Sequence, residues 1–499
     1  MKYGFLFGAG AEFAYKLPSG GQFALDIFRQ DTTKPKEEFR DMRANVDRTT
    51  TYAGQWLPDK YWLKSIGTFG KSVFQSIIMS TVEHRREEII QMINKFDDEA
   101  GWIVRKMKGD GLEVDQAFFD LLGRDVSTIQ LNQVISYNAA FGKGDELFKS
   151  HYFSGLLLVY KNMPRTSGRE LLRKILLATL QLQVGALSEE LAQRINDNLF
   201  EKKDEGIDLL DDFGELIKPN YSSMGVSGLE FLLENPQIET YTSEGVVIRF
   251  AQLLIEDIYA SVLDYKAVID SNWHYLYNPS SDWAKFCKIC IFLLTVRRYI
   301  SDLGSKADTN NPDGYYNMLK SALDNRLYEV SAIATTNYNK IIEDILGTAY
   351  PVTYLNGSVS VWYDPYLNKI GSQSDLDTTE KHIIVPLIFT QSGTKPMTSI
   401  SMSVKYVDVY RAWKAADAVV VVGFGFGTDD EHINGILRTI VNDDGKDLKV
   451  VTLEHGKSEK EEAKEIARKI KVNDSRKIQM ILVDRDGKKA GKPWTELLN

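Results

Sequence analysis

Lys2-Tyr3-Gly4-Phe5-Leu6-Phe7, followed at once by Gly8-Ala9-Gly10-Ala11, opens the chain. The reading of this stretch decides the fold. Its first part is a short apolar run of the kind that forms a buried strand. Glycines at the carboxyl end of such a strand let backbone N–H groups approach a phosphate with no Cβ in the way. Leu17-Pro18-Ser19-Gly20-Gly21 comes soon after. In open parallel sheets, ligands bind at the carboxyl ends of the strands. The stretch therefore points to a nucleotide pocket, with a tight strand–helix turn that binds nothing as the plainer alternative.

A strand apolar on both faces needs partners on each side. Those partners lie at the far end of the chain. Strand-like runs occur at 328–334, 352–355, 381–389, 418–422, 448–453 and 478–483, with helical segments at 340–346 and 458–470 between them. Short unbroken apolar runs alternating with helices predict an α/β layered domain. From about residue 30 to 325 the periodicity is helical instead, most clearly over 71–108, 169–200, 246–269 and 283–303. Breaks fall at Pro219, Pro279 and 308–314. The simplest architecture is discontinuous. Residues 1–30 and 325–499 form one α/β domain, and residues 31–324 form an all-helical insertion without a catalytic constellation.

Composition narrows the class. The chain has 499 residues, 43% hydrophobic and 26% charged, which suits a globular protein of two or more domains. A net charge of −9 argues against an electrostatic grip on nucleic acid or anionic lipid. The two cysteines, Cys287 and Cys290, stand three apart with no second pair, so they read as buried thiols rather than zinc ligands. That usage, with no basic-then-apolar leader and no apolar run of membrane-spanning length, predicts a cytoplasmic protein that does not enter membranes.

Four short stretches follow one another at strand ends: Gly8-Ala9-Gly10-Ala11 with Leu17-Pro18-Ser19, Thr335-Thr336-Asn337-Tyr338-Asn339, Asn356-Gly357, and Gly423-Phe424-Gly425-Phe426 with Asp429 and Asp430. In this order they resemble the sirtuin-like domains of bacterial anti-phage proteins, over residues 1–30 and 325–499. The resemblance implies a Rossmann-like three-layer parallel sheet and cleavage of NAD to nicotinamide and ADP-ribose, with no metal. It implies that Gly8, Ala9 and Gly10, with Pro18 and Thr336 beside them, hold the NAD diphosphate. Asn337 would lie by the nicotinamide ribose, and Gly423, Phe424 and Gly425 would line the adenosine half.

Two positions depart from the family. Asn339 stands where an Asp is usual, and Asn356 stands where the family has His. A histidine can accept a proton from a ribose hydroxyl or water, and an amide cannot. Glu12, His382 and His432 are the candidates to replace it. Glu12 already lies in the expected pocket, although a carboxylate at a helix N-terminus needs no catalytic role. His432 reads as an ordinary surface residue. The leading expectation is an NAD+ hydrolase effector of abortive infection, with catalytic residues Asn337, Asn356 and Glu12. Such an activity needs a gate, so a sensor or activator protein, or a second copy of the chain, is the expected partner. The alternative is an inactive nucleotide-binding or scaffold subunit. A Rossmann dehydrogenase fits less well, because Phe13 stands where its fingerprint wants a third glycine.

Overall fold

Strand β1 (Lys2–Phe7) lies in the middle of a six-stranded parallel sheet, as its two apolar faces require. Its partners are β2 (Glu329–Thr335), β3 (Val352–Tyr354), β7 (Ala418–Val422), β8 (Asp447–Leu453) and β9 (Ile478–Val483). The order across the sheet is β9-β8-β7-β1-β2-β3, with Phe5 opposite Ile333 on one side and Val420 on the other. The computed structural model describes residues 1–18, 20–70, 85–131, 135–137, 146–187, 200–202, 232–262, 272–377, 379–388, 399–454, 457–484 and 486–498. Ser19, Pro219, His84, His455 and parts of the 71–108, 169–200 and 246–269 stretches lie outside the described residues.

Alternate residues of each strand enter opposite layers. Tyr3, Phe5, Phe7, Val420, Val422, Ile481 and Val483 pack with helices Tyr315–Asp324 and Ile341–Leu346. Leu6, Ala334, Val419, Val421, Val450 and Met480 pack with Ile400–Lys414, Glu431–Asn442 and Glu459–Ile470. The last of these helices is held at its start by a capping box, Ser458 with Glu461. The result is a three-layer α/β arrangement.

One expected strand belongs elsewhere. Among the described residues of 381–389, which end at 388, Val385–Ile388 (β6) is a strand, and it pairs antiparallel with β4 (Gly357–Asp364), which also pairs with β5 (Lys369–Gly371). The sequence reading had no strand at β4 or β5. This small sheet starts where the chain turns at Gly357 (φ +84°), and a Cβ there would stand 1.9 Å from Leu387 O.

The chain divides into two compact units, and the division runs through the helical segment. The unit bearing the sheets comprises Met1–Ser19, Gln30–Phe69 and Lys266–Asn499. It thus takes in residues 30–69 and 266–324 besides the ends of the chain. The second unit comprises Gly20–Arg29 and Gly70–Tyr265. Its core gathers Ile89, Phe96, Phe118, Phe153, Leu176, Val247 and Leu254 from successive helices. There Arg29 pairs with Glu256 at 2.8 Å and donates to Leu232 O at 2.8 Å. It also holds a short antiparallel ribbon of Ile135–Tyr137 and Phe200–Lys202, in a stretch expected to be all-helical.

Candidate functional site

Taken in their order along the chain, the six parallel strands lie 3-2-1-4-5-6 across the sheet, so the winding reverses between β1 and β7. In doubly wound sheets such a reversal leaves a crevice beyond the carboxyl ends of the two strands, and nucleotides bind there. The turns leaving them are Gly8–Ala11 and Gly423–Gly427. The two glycine runs quoted from the sequence therefore meet.

They meet more closely than a phosphate cradle requires. Gly8 N–H donates to Val422 O (2.9 Å), Gly10 N–H to Gly423 O (2.8 Å) and Ala11 N–H to Gly8 O (3.1 Å). The amides expected to face phosphate from Gly8 and Gly10 instead tie one turn to the other. A Cβ on Gly10 would stand 2.9 Å from both Cα and O of Gly423. Gly423 has φ +63°, and its own Cβ would meet Ala11 N at 2.2 Å. Ala9 and Gly425 are exposed at the rims of these turns, and Phe424 is buried edge-on to Phe426. Pro18 is half-buried, two residues past the left-handed Lys16 that ends the 3-10 segment Ala9–Tyr15.

Glu12 points from that 3-10 segment into a buried polar cluster. Its Oε1 accepts from Tyr316 Oη (3.0 Å) and its Oε2 from Asn339 Nδ2 (2.7 Å). Asn337 Nδ2 donates to Gly8 O and to Tyr316 Oη, both at 3.1 Å. Asn339 accepts from Ile341 N–H (3.1 Å) at the start of its helix, and its carbonyl accepts from Tyr354 Oη (3.1 Å). Tyr15 stacks on Tyr316 and accepts from its N–H at 2.9 Å. Thr336 is buried, its N–H on Phe7 O at 2.9 Å. Burial pushes the Glu12 carboxyl up to about 7, against the hydrogen bonds from Asn339 and Tyr316. Burial, and Glu12 next to it, keep the Tyr316 hydroxyl well above its usual range, so it remains a donor.

A second polar group stands at the end of β3. Asn356 is 1% exposed, and His432 Nε2 lies 3.1 Å from its Oδ1. The surface expectation for His432 is thus corrected. The turn Thr428–Asp430 carries helix Glu431–Asn442 back over the sheet, which half-buries the His432 ring against Tyr406. Tyr406 Oη donates to Leu355 O at 2.6 Å. His382 lies elsewhere, in the segment leading into β6. Its Nδ1 is 2.7 Å from buried Asp364 and its Nε2 3.1 Å from Glu380. Burial works against its charged form, but the two carboxylates hold its pKa above the usual value.

Sequence reasoning missed Tyr15, which stands only three residues from Glu12 but acts through its contact with Tyr316, and it missed Tyr316, which nothing near Glu12 in the chain announces. Tyr316 is 304 positions away and lies within the segment read as lacking any catalytic constellation. Among the described residues, no group of three His, Cys, Asp or Glu side chains is arranged to hold a metal ion, and no helix is long and apolar enough to cross a membrane. The site offers a titratable carboxyl, an oriented amide and a histidine on an amide, beyond the carboxyl ends of a parallel sheet. Comparison with family models, curated proteins and solved structures finds no match for this chain.

Proposed function

We propose that this chain is a sirtuin-like NAD+ hydrolase on a Rossmann-like sheet, cleaving NAD to nicotinamide and ADP-ribose as a triggered effector of anti-phage defence. The observation that carries the reading is the convergence of Gly8–Gly10, Thr336, Asn337 and Gly423–Gly425 at the switch point of the parallel sheet. A dinucleotide lying across that crevice would set its nicotinamide ribose by Asn337 and its adenosine half by Phe424 and Gly425. Cleavage passes through a cation-like ribose, helped by polar groups already fixed in place. Asn337 is such a group, because Gly8 O and Tyr316 Oη hold its amide. Glu12 then acts beneath it, keeping Asn339 and Tyr316 in register. The gate would be a sensor or activator protein or a second copy of the chain.

A second reading, an inactive nucleotide-binding subunit, has a specific observation in its favour: both Nδ2 hydrogens of Asn337 are spent inside the protein. Nicotinamide release from NAD, followed by chromatography on the full chain with its activating partner, separates the two. The hydrolase reading expects release by the parent and a loss of about 10²-fold or more in Asn337→Ala. NAD binding by calorimetry without release in either protein gives the inactive subunit. No NAD binding at all refutes both.

A further inference from the structure

The hydrogen bonds of the buried cluster all run one way. Gly8 O can only accept, so it fixes Asn337 Nδ2 towards itself, and the second Nδ2 hydrogen goes to Tyr316 Oη. Tyr316 in turn donates to Glu12 Oε1. On the other side, Ile341 N–H can only donate, so it fixes Asn339 Oδ1 and leaves Nδ2 for Glu12 Oε2. Both carboxyl oxygens thus receive hydrogens, the pattern of an ionised group. The end of Asn337 left for a ligand is Oδ1, an acceptor.

A proton on Glu12 breaks this pattern. The carboxyl must then donate, and Asn339, held by Ile341, offers it no acceptor. Tyr316 Oη is the other partner, and it accepts only by turning its own hydrogen away. Its remaining side-chain partner is Asn337, so that hydrogen meets Nδ2–H, donor against donor, and the amide loses its anchor. The titratable groups that feel the Glu12 charge are the hydroxyls of Tyr15 on its own segment, Tyr316 on helix Tyr315–Asp324 and Tyr354 on β3. Burial holds all three above their usual range, so they keep their protons between pH 5 and pH 8. Glu343 and Asp344, on helix Ile341–Leu346, act on Tyr354, and Lys405 on helix Ile400–Lys414 is influenced by Glu343. Glu12, raised by burial to about 7, is the member of the cluster that changes charge over this range.

We propose that Tyr316 is the positioning residue of Asn337, and that ionised Glu12, acting through Tyr316, holds the Asn337 amide with Oδ1 offered to a ribose hydroxyl, so that NAD cleavage requires Glu12 without its proton. The inference rests on the hydrolase reading above. Glu12 and Tyr316 take no part in bond making; they decide which end of the amide the substrate meets.

The test has two arms. ¹⁵N–¹H spectra of asparagine-labelled full chain, with the Asn337 side chain assigned by its absence in Asn337→Ala, need no activity. The Asn337 Nδ2 hydrogens are expected to shift between pH 8 and pH 5 in the parent and to stay constant in Glu12→Gln, whose Nε2–H donates to Tyr316 as a protonated carboxyl does. An unshifted parent signal overturns the proposal. In the activity arm, nicotinamide release by the parent with its activating partner at saturating NAD is expected to fall at least about 10-fold from pH 8 to pH 5. Glu12→Gln should be as slow at pH 8 as the parent is at pH 5, with a flat profile. Tyr316→Phe should also be slow and flat, although its Glu12 still titrates. A flat parent profile overturns the proposal, and so does a parent-like profile in either variant, since a merely structural loss lowers the rate and leaves its pH dependence in place. Absence of cleavage by the parent at every pH would sink the hydrolase reading itself, and the control of cleavage with it.

Discussion

Replacing Glu12 with Gln tests the buried cluster through its pH dependence. The carboxyl stands at about 7 in the folded chain against an ordinary 4.5. Below 4.5 it is neutral in both folded and unfolded states and costs nothing. Between 4.5 and 7 the unfolded chain releases the proton while the folded one keeps it, so stability falls as pH rises. Above 7 the folded protein holds a buried carboxylate, and the loss is complete. At about 1.4 kcal/mol for each pH unit, the loss amounts to roughly 3 kcal/mol between pH 4.5 and 8. Other carboxylates change stability over part of this range, so the measurement is a difference between parent and variant. Gln is nearly isosteric, keeps an oxygen for Asn339, and leaves Tyr316 free to turn its hydroxyl. Of the eight tryptophans only Trp102 lies in the second unit, so fluorescence during urea unfolding reports the sheet-bearing unit. Glu12→Gln should gain about 3 kcal/mol on the parent between pH 5 and pH 8. Parallel pH profiles for the two proteins would show that Glu12 is not held neutral by burial, and the cluster as described would be wrong.

Two further perturbations probe the same region. Gly10→Ala puts a Cβ 2.9 Å from Gly423 backbone atoms, and overpacking of this kind costs about 1–3 kcal/mol; urea unfolding midpoints should fall even without NAD, and an unchanged midpoint would refute the clamped turns. Tyr316→Phe removes the hydroxyl that donates to Glu12 and accepts from Asn337; a loss of roughly 1–3 kcal/mol is expected at pH 8, smaller at pH 5 where Glu12 is neutral, and equal losses at both would argue that Tyr316 does not serve the carboxylate.

The parallel sheet was legible because its strands are apolar on both faces. Ala418-Val419-Val420-Val421-Val422 can be little else than a strand buried between two layers. The opening strand likewise demanded neighbours that only the far end of the chain provides. The antiparallel sheet was not legible. Gly357–Asp364 mixes serines with Val359, Val361 and Trp362, and its start is set by a left-handed glycine rather than by a change in periodicity. The 381–389 run is apolar enough for a buried strand, but its partner β4 turns it out of the parallel sheet.

The sequence marked Gly8, Gly10 and Gly423 as strand-end glycines for two halves of a dinucleotide, and in the folded chain glycine is demanded at Gly10 and Gly423 by the approach of one turn to the other. A sequence shows only that a Cβ is missing, and a neighbouring backbone excludes a Cβ as firmly as a phosphate does. The same ambiguity governs the asparagines. Asn339 and Asn356 looked like lost catalytic groups, because a side chain read by itself can be compared only with the residue expected there. In the folded chain Asn339 accepts from the N–H of Ile341 and holds Glu12, and Asn356 holds a histidine 76 positions away. An amide can do both because it donates and accepts at once. An Asp at 339 would set a second carboxylate against Glu12, at a site where burial already pushes one carboxyl up to about 7. Glu12 thus disfavours an Asp at 339, and the two positions are best understood as a single coupled choice.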